Sequence, residues 1–387
     1  MEGEYKANKG DISEAILAAA IAAKFKKRID VNEFKNTSSA INIGNLPSVT
    51  KTDVENVLRI LVRSFKYSTS VNDIDRIKKT VETKIYDNIQ VSVGIPQKSA
   101  QFLKKESNWS EISNIFSAAI TKVNSDPRLK AKAYGLSVNK KNDTIIVRAI
   151  GTESQTATKV DIRVEIINQG QRLPNRSNQI SLKYDAPQFA QAVGLEFGNF
   201  GKIFDALGLN NYTKFNEMFL SEVMGVYPDI IGKKFDNRDA IKSSDEVKAL
   251  KKVAKKVFSS VADQLNQKLT GAGKDQFRRL LASYCKERAT KNESGVELVK
   301  FTTKGGAVTQ TFSQSFFENV ANADLKVHKD LGGSDPKIII YSGTSSTKAN
   351  TLIQFRYRTD ATAKDRNNKY KILMRSYVES GDLLYKL

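Results

Sequence analysis

The chain of 387 residues contains one cysteine, Cys285, and one histidine, His328. A single thiol cannot close an intrachain disulfide, so nothing in the sequence requires an oxidising compartment. The same two counts exclude zinc fingers, Cys/His zinc catalysis and His-rich nuclease sites, each of which needs several ligands of these types. A serine triad would have to use His328, and no elbow motif surrounds any serine. Long apolar runs are missing too. The longest, Ala15–Ala23, falls far short of the roughly 20 residues that span a bilayer, and the acidic start Met1-Glu2-Gly3-Glu4 lacks a signal-peptide pattern. The expectation is a cytoplasmic protein with no membrane partner. Acidic residues are also scarce: 62 Lys and Arg stand against 42 Asp and Glu, a formal net charge of +20. The charged fraction, 27%, is ordinary, so the imbalance is one of sign. Such an excess favours polyanions, nucleic acid first and acidic membrane surfaces next.

What is present divides by texture. Asp11 is a natural N-cap with Glu14 three residues on, and Ile12, Ile16, Leu17, Ala20 and Ile21 then follow helical spacing. Lys24, Lys26, Lys27 and Arg28 close that helix. Further helices are predicted over about 52–65 (capped by Thr52 and Glu55), 71–85 and 110–123. Three strands are predicted at 144–150, 159–167 and 179–184, followed by a helix over 187–207. Ser244–Leu269 is a long amphipathic helix whose lysines, Lys248, Lys251, Lys252, Lys255 and Lys256, lie largely outside its apolar stripe. Another helix covers about 273–289, and Gly271–Asp275 reads as the turn between the two because it lacks phosphate-loop spacing. Strands return at 337–341, 351–357 and 370–377. The class is α/β: a mixed sheet flanked by helices, with a helical N-terminal region and a β-rich C-terminal region. The expected segments are 1–130, 131–225, 226–292 and 293–387, or one elaborated domain.

The segment 151–188 carries the chemistry. Side chains alternate along a strand, so Val160, Ile162, Val164 and Ile166 share an apolar face, and Lys159, Asp161, Arg163 and Glu165 share the other. On the next strand Ile180 and Leu182 point to the core, with Ser181 and Lys183 opposite. If the strands pair, a carboxylate and a lysine meet on one polar face. Alternation alone is more often the mark of an ordinary solvated strand face, and Asp11 and Glu14 read first as helix-capping acids.

The order Ile150-Gly151, Thr158-Lys159-Val160-Asp161-Ile162, then Ile180-Ser181-Leu182-Lys183 and Gln188-Phe189 resembles the PD-(D/E)XK, or restriction-endonuclease-like, nuclease superfamily. The resemblance covers about 144–207. It implies that Asp161 binds Mg²⁺, that Lys183 orients and activates the attacking water, and that Glu14 is the early-helix glutamate completing the site. Ser181 stands where the family usually has a second acid, as in an SxK variant, and removes one metal ligand. Glu165 is no replacement, since four residues of extended strand span roughly 13 Å; Glu14 or Glu153 is better placed to approach. A hard cation held by oxygens suits phosphodiester hydrolysis, and a nearby lysine stabilises developing charge.

The expected function is therefore Mg²⁺-dependent DNA endonuclease, with double-stranded DNA as partner; the resemblance also allows a homodimer that cuts both strands, though nothing in the sequence identifies an interface. The alternative is a non-enzymatic nucleic-acid-binding or phage virion structural protein with a degenerate site. Expected nucleic-acid contacts are Lys159, Gln188, Lys251, Lys252, Lys255, Lys256, Arg356 and Arg358. On the strand Phe355–Arg358, alternation puts the arginines on one face and Phe355 and Tyr357 on the other. That suits phosphate neutralisation with base stacking, and equally an aromatic core with arginines in water.

Overall fold

A computed structural model describes residues 7–33, 48–66, 78–86, 88–126, 143–149, 160–168, 170–172, 178–185, 188–194, 202–209, 217–362, 365 and 367–387. Two compact units emerge: Met1–Asp185 with Glu293–Thr311, and Ala186–Asn292 with Phe312–Leu387. Their boundaries cut through the expected segments 131–225 and 293–387. The 1–130 region is less helical than expected, because it supplies two strands to a sheet.

The first unit starts with α1 (Lys9–Glu33) and α2 (Lys51–Arg63), followed by β1 (Lys78–Tyr86) and β2 (Ile89–Pro96). Next come α3 (Gln97–Lys104), α4 (Ser113–Ser125), β3 (Asp143–Ala149), β4 (Ile162–Asn168), β5 (Gln171–Arg172) and β6 (Asn178–Tyr184). The chain then leaves for the second unit, beginning with β7 (Gln188–Gly194), and returns as β8 (Val296–Phe301) and β9 (Ala307–Gln310). The sheet order is β1-β2-β3-β4-β6-β8-β9, with β5 on β4. Strands β3, β4 and β6 form an antiparallel meander, and β8 pairs parallel to β6.

Hydrophobic alternation decides which face is closed. Ile89, Val91 and Val93 of β2, Ile145 and Val147 of β3, Ile162, Val164 and Ile166 of β4, Ile180 and Leu182 of β6, and Val299 and Phe301 of β8 form one core with α1–α4. Each such side chain contributes about 1.5–3 kcal/mol relative to exposure. Helix α1 is buried around its whole circumference from Ile12 to Phe25, the behaviour of an all-round apolar helix at the centre of a unit. At the edge of this core lies a closed ion network. Lys122 Nζ of α4 is 2.8 Å from Asp126 Oδ2, 3.0 Å from Glu297 Oε2 of β8 and 3.2 Å from Thr309 Oγ1.

Several local expectations are corrected. Asp11 is not an N-cap: α1 begins at Lys9, and Asn8 Oδ1 accepts from the Gly10 amide at 2.9 Å. The second helix is capped by Thr50 and Asp53, in a reciprocal capping box, rather than by Thr52 and Glu55. The 71–85 helix is overturned where described, since Lys78–Tyr86 is a strand and Tyr86 faces Ile89 in a hairpin. Its exposure alternates with period two, and cross-strand pairing overrides the 3–4 spacing of Val81 and Ile85. The 187–207 helix is overturned as well. Gln188–Gly194 is a strand of the second unit, and among the described residues of that span only Lys202–Asp205 is helical.

The second unit has one antiparallel sheet of β7 with β10 (Leu325–Asp330), β11 (Lys337–Ser342), β12 (Thr351–Ala361) and β13 (Ile372–Ser380), in the order β10-β11-β12-β13-β7. Its helices are α5 (Lys202–Asp205), α6 (Arg238–Ser243), α7 (Asp245–Thr270), α8 (Lys274–Thr290) and α9 (Gln314–Asn322). Ser244 caps α7 by accepting from the Val247 amide. The turn into α8 uses Gly273 at φ 88°, a conformation glycine adopts without strain. The core centres on Phe204, Phe258, Tyr284 and Phe355, with Phe204–Phe355 centroids 5.0 Å apart. Cys285 lies buried in α8. Among the described residues no helix is long and apolar enough to cross a membrane.

Candidate functional site

Strand pairing brings Asp161 and Lys183 together. Residue 161 precedes β4, the second strand of the meander, and Lys183 lies on β6, the third. Because Ile162 pairs with Ile180, Asp161 stands beside Ser181 on the face opposite the apolar core. Lys183 Nζ donates to Asp161 Oδ2 at 3.1 Å, and the Ser181 hydroxyl donates to the same oxygen at 3.4 Å. The shortest contact is from the backbone: the Leu182 amide donates to Oδ2 at 2.6 Å. The described β4–β6 ladder ends at Ile162–Ile180, two residues before Leu182. The Asp161 carboxylate thus takes the place of the acceptor that β4 no longer supplies, satisfying a buried N–H. Side-chain exposure is 10% for Asp161 and 20% for Lys183, so this is not a freely solvated strand face.

Further along that face, Arg148 Nε of β3 donates to Glu165 Oε2 at 3.0 Å, and Arg148 Nη1 lies 3.6 Å from Glu82 Oε1. Glu165 is thus engaged away from Asp161. Glu14 is buried on α1 and does not face solvent. Among the described residues, no three His, Cys, Asp or Glu side chains converge as a metal-holding group. Lys159, Glu153 and the Ile150-Gly151 element lie outside the described residues.

No protein-family model, curated protein or solved structure matches this chain.

The expected nucleic-acid contacts separate into distinct groups. On α7, Lys256 is held by Glu222 at 2.8 Å and Lys248 by Asp245 at 2.7 Å, while Lys251, Lys252 and Lys255 lie outside the apolar stripe. On β12 the aromatic residues face inward: Phe355 and Tyr357 are fully buried, so they are core and not base-stacking platforms. Arg356 is tied down, with Nη2 2.7 Å from Glu379 and the guanidinium 4.9 Å over the Tyr377 ring. Arg358 is exposed and pairs across the ladder with Arg375. Gln188 sits at the β7 end, opposite Glu379 of β13, and not on a helix. The cluster near residues 24–28 is also partly spent, because Lys24 is buried and Lys27 pairs with Asp53 at 2.6 Å.

Proposed function

We propose that the first unit holds a Mg²⁺-dependent nuclease site of the restriction-endonuclease-like kind, hydrolysing DNA phosphodiester bonds and centred on Asp161 and Lys183. The observation that carries this is the 3.1 Å contact between Lys183 Nζ and Asp161 Oδ2, made from neighbouring strands of a meander. A magnesium ion takes one or two carboxylates and completes its octahedron with waters and substrate phosphate oxygens. Asp161 suits that role: the Ser181, Leu182 and Lys183 donors all address Oδ2, so Oδ1 is the oxygen that would meet a cation. Asp161 would hold the ion, with Glu14 as the second carboxylate that the resemblance assigns. When bound, the ion supplies Lewis-acid stabilisation and a water acidified toward neutrality.

The rest is the chain's own work. Lys183, anchored by Asp161, presents a fixed ammonium to the developing phosphoryl charge, where a pre-positioned donor is worth more than a mobile one. Ser181 keeps a hydroxyl beside the carboxylate without adding charge. The net charge of +20 draws the polyanion to the protein.

A second reading is favoured by Ser181 in the usual acid position and by the lack of a converging three-ligand group among the described residues. It is a nucleic-acid-binding or virion structural protein with a degenerate site. Incubating purified protein with supercoiled plasmid, linear duplex and single strands, each with Mg²⁺, Mn²⁺ or EDTA, decides between them. The nuclease reading expects metal-dependent cleavage, with Asp161→Asn reducing it by at least about 100-fold. Binding without cleavage under every condition selects the second reading.

A further inference from the structure

We infer that Arg163 binds a backbone phosphate of nucleic acid beside the Asp161–Lys183 pair and so positions the strand there. The inference rests on the nucleic-acid reading of that pair and adds a contact that the restriction-endonuclease resemblance does not assign. Arg163 lies on β4, two residues beyond Asp161 and hence on the same polar face of the sheet. Two residues of strand span roughly 7 Å, so Arg163 meets a phosphate next to the one at Lys183. The ladder sets Arg148 of β3 on one side of it and Gln179 of β6 on the other.

The charges around Arg163 are already committed elsewhere. Along its own strand, Asp161 is held by Lys183 at 3.1 Å and Glu165 by Arg148 at 3.0 Å. Among the described residues Arg163 itself has no ion pair, hydrogen bond or ring contact. Its Nε is enclosed without an acceptor, as are those of Arg278, Arg288, Arg356 and Arg375. Those four use the guanidinium in other ways: Arg278 on the Ala321 and Leu269 carbonyls, Arg288 over the Tyr284 ring, Arg356 on Glu379 and Arg375 on Asp360. Arg163 does none of this. It is also half-buried rather than enclosed, so an external ligand can reach it. Lys300, which β8 sets beside Lys183, is buried and offers no such access. A guanidinium cannot shed its proton in a protein, and the like charge of Arg148 on the neighbouring strand disfavours it. The position therefore gains when an anion arrives. A phosphate diester suits the planar fork, which can donate to two oxygens at once.

The test is binding of a short fluorescein-labelled DNA duplex in EDTA, followed by anisotropy between about 50 and 200 mM salt. The wild type is compared with Arg163→Gln and Arg163→Lys. Loss of one phosphate contact in Arg163→Gln should lower the slope of log affinity against log salt by about 0.9, and affinity at 0.1 M salt by about eightfold. Arg163→Lys keeps the charge and should restore the slope. Unchanged slope and affinity in a folded Arg163→Gln overturn the contact, as does an Arg163→Lys no better than Arg163→Gln, or a wild type that binds no duplex. Should Arg163→Gln fail to fold, modification of wild-type protein by phenylglyoxal, located by peptide mass spectrometry, replaces it. Labelling of Arg163 that the duplex suppresses supports the contact, and labelling that the duplex leaves unchanged overturns it. Cleavage in Mg²⁺ is scored separately. A wild type that cuts DNA, with an Arg163→Gln that binds equally well, loses the contact and keeps the nuclease reading. A wild type that binds with the Arg163-dependent slope and never cuts keeps the contact and loses the nuclease.

Discussion

Replacing Asp161 separates its structural role from its chemical one. In the folded protein Oδ2 receives the Leu182 amide at 2.6 Å, Lys183 at 3.1 Å and Ser181 at 3.4 Å. Asp161→Ala removes all three bonds. The Leu182 N–H then lacks an acceptor in a buried strand, which costs about 1–3 kcal/mol. Lys183, 20% exposed, can turn toward water, so its lost pairing adds little. Asp161→Asn keeps an amide oxygen for Leu182 and loses only the charge. Alanine is therefore expected to destabilise the β4–β6 junction by about 2 kcal/mol, and asparagine by clearly less. Because the chain has two compact units, a single global unfolding free energy is a poor readout. Hydrogen exchange of the 178–184 segment, followed by mass spectrometry, reads the junction directly. Two kcal/mol corresponds to exchange faster by about 30-fold. If Asp161→Ala exchanges at the wild-type rate there, the carboxylate does not terminate the ladder and this reasoning fails. The same logic makes asparagine, not alanine, the variant for testing cleavage.

Ser181→Asp would set a second carboxylate against Asp161 in a fully buried position. We expect a lower melting temperature in EDTA and recovery as Mg²⁺ is added; a metal-independent melting temperature would contradict the site as drawn. Lys122→Ala removes the cation from between Asp126 and Glu297, and should destabilise the first unit by about 3–5 kcal/mol, measurable as a shift in its urea transition; no shift would show the network to be dispensable. Burial pushes the Cys285 thiol well above its ordinary range, so a thiol reagent should label it only on unfolding, and prompt labelling of native protein would refute the packing of α8. The hydrogen bond from Lys234, with the backbone amides of Lys369 and Asn367, holds the Asp365 carboxyl down at about 2. Its contribution is present above the ordinary carboxyl range and is lost as pH falls through that value. An NMR titration should place its midpoint there, and Lys234→Met should move it up; an unmoved midpoint would rule out the pairing.

Much of the site was legible because its logic is local. Strict alternation from Val160 to Ile166 and from Ile180 to Lys183 assigns faces without knowledge of the rest of the fold, and antiparallel pairing of β4 with β6 places Asp161 beside Ser181 and Lys183. Helices α7 and α8 were legible for the same reason: their apolar stripes, cap and glycine turn all lie within a few residues. What failed was non-local. Residues 188–194 form a strand because β13, nearly 200 residues later, offers them an edge, and no local pattern reports that edge. The 78–86 stretch carries apolar residues at spacings that fit either period, and β2 decides for the strand. The aromatic and basic alternation at 355–358 was compatible with a binding surface until the sheet turned Phe355 and Tyr357 inward. Lys300 is the clearest case. Nothing near it in sequence marks it out, and its place beside Lys183 exists only because the chain runs through the 186–292 part of the second unit before β8 returns to pair with β6. Periodicity along a strand is written in the sequence, whereas the neighbour across the strand is chosen by the free energy of the whole sheet.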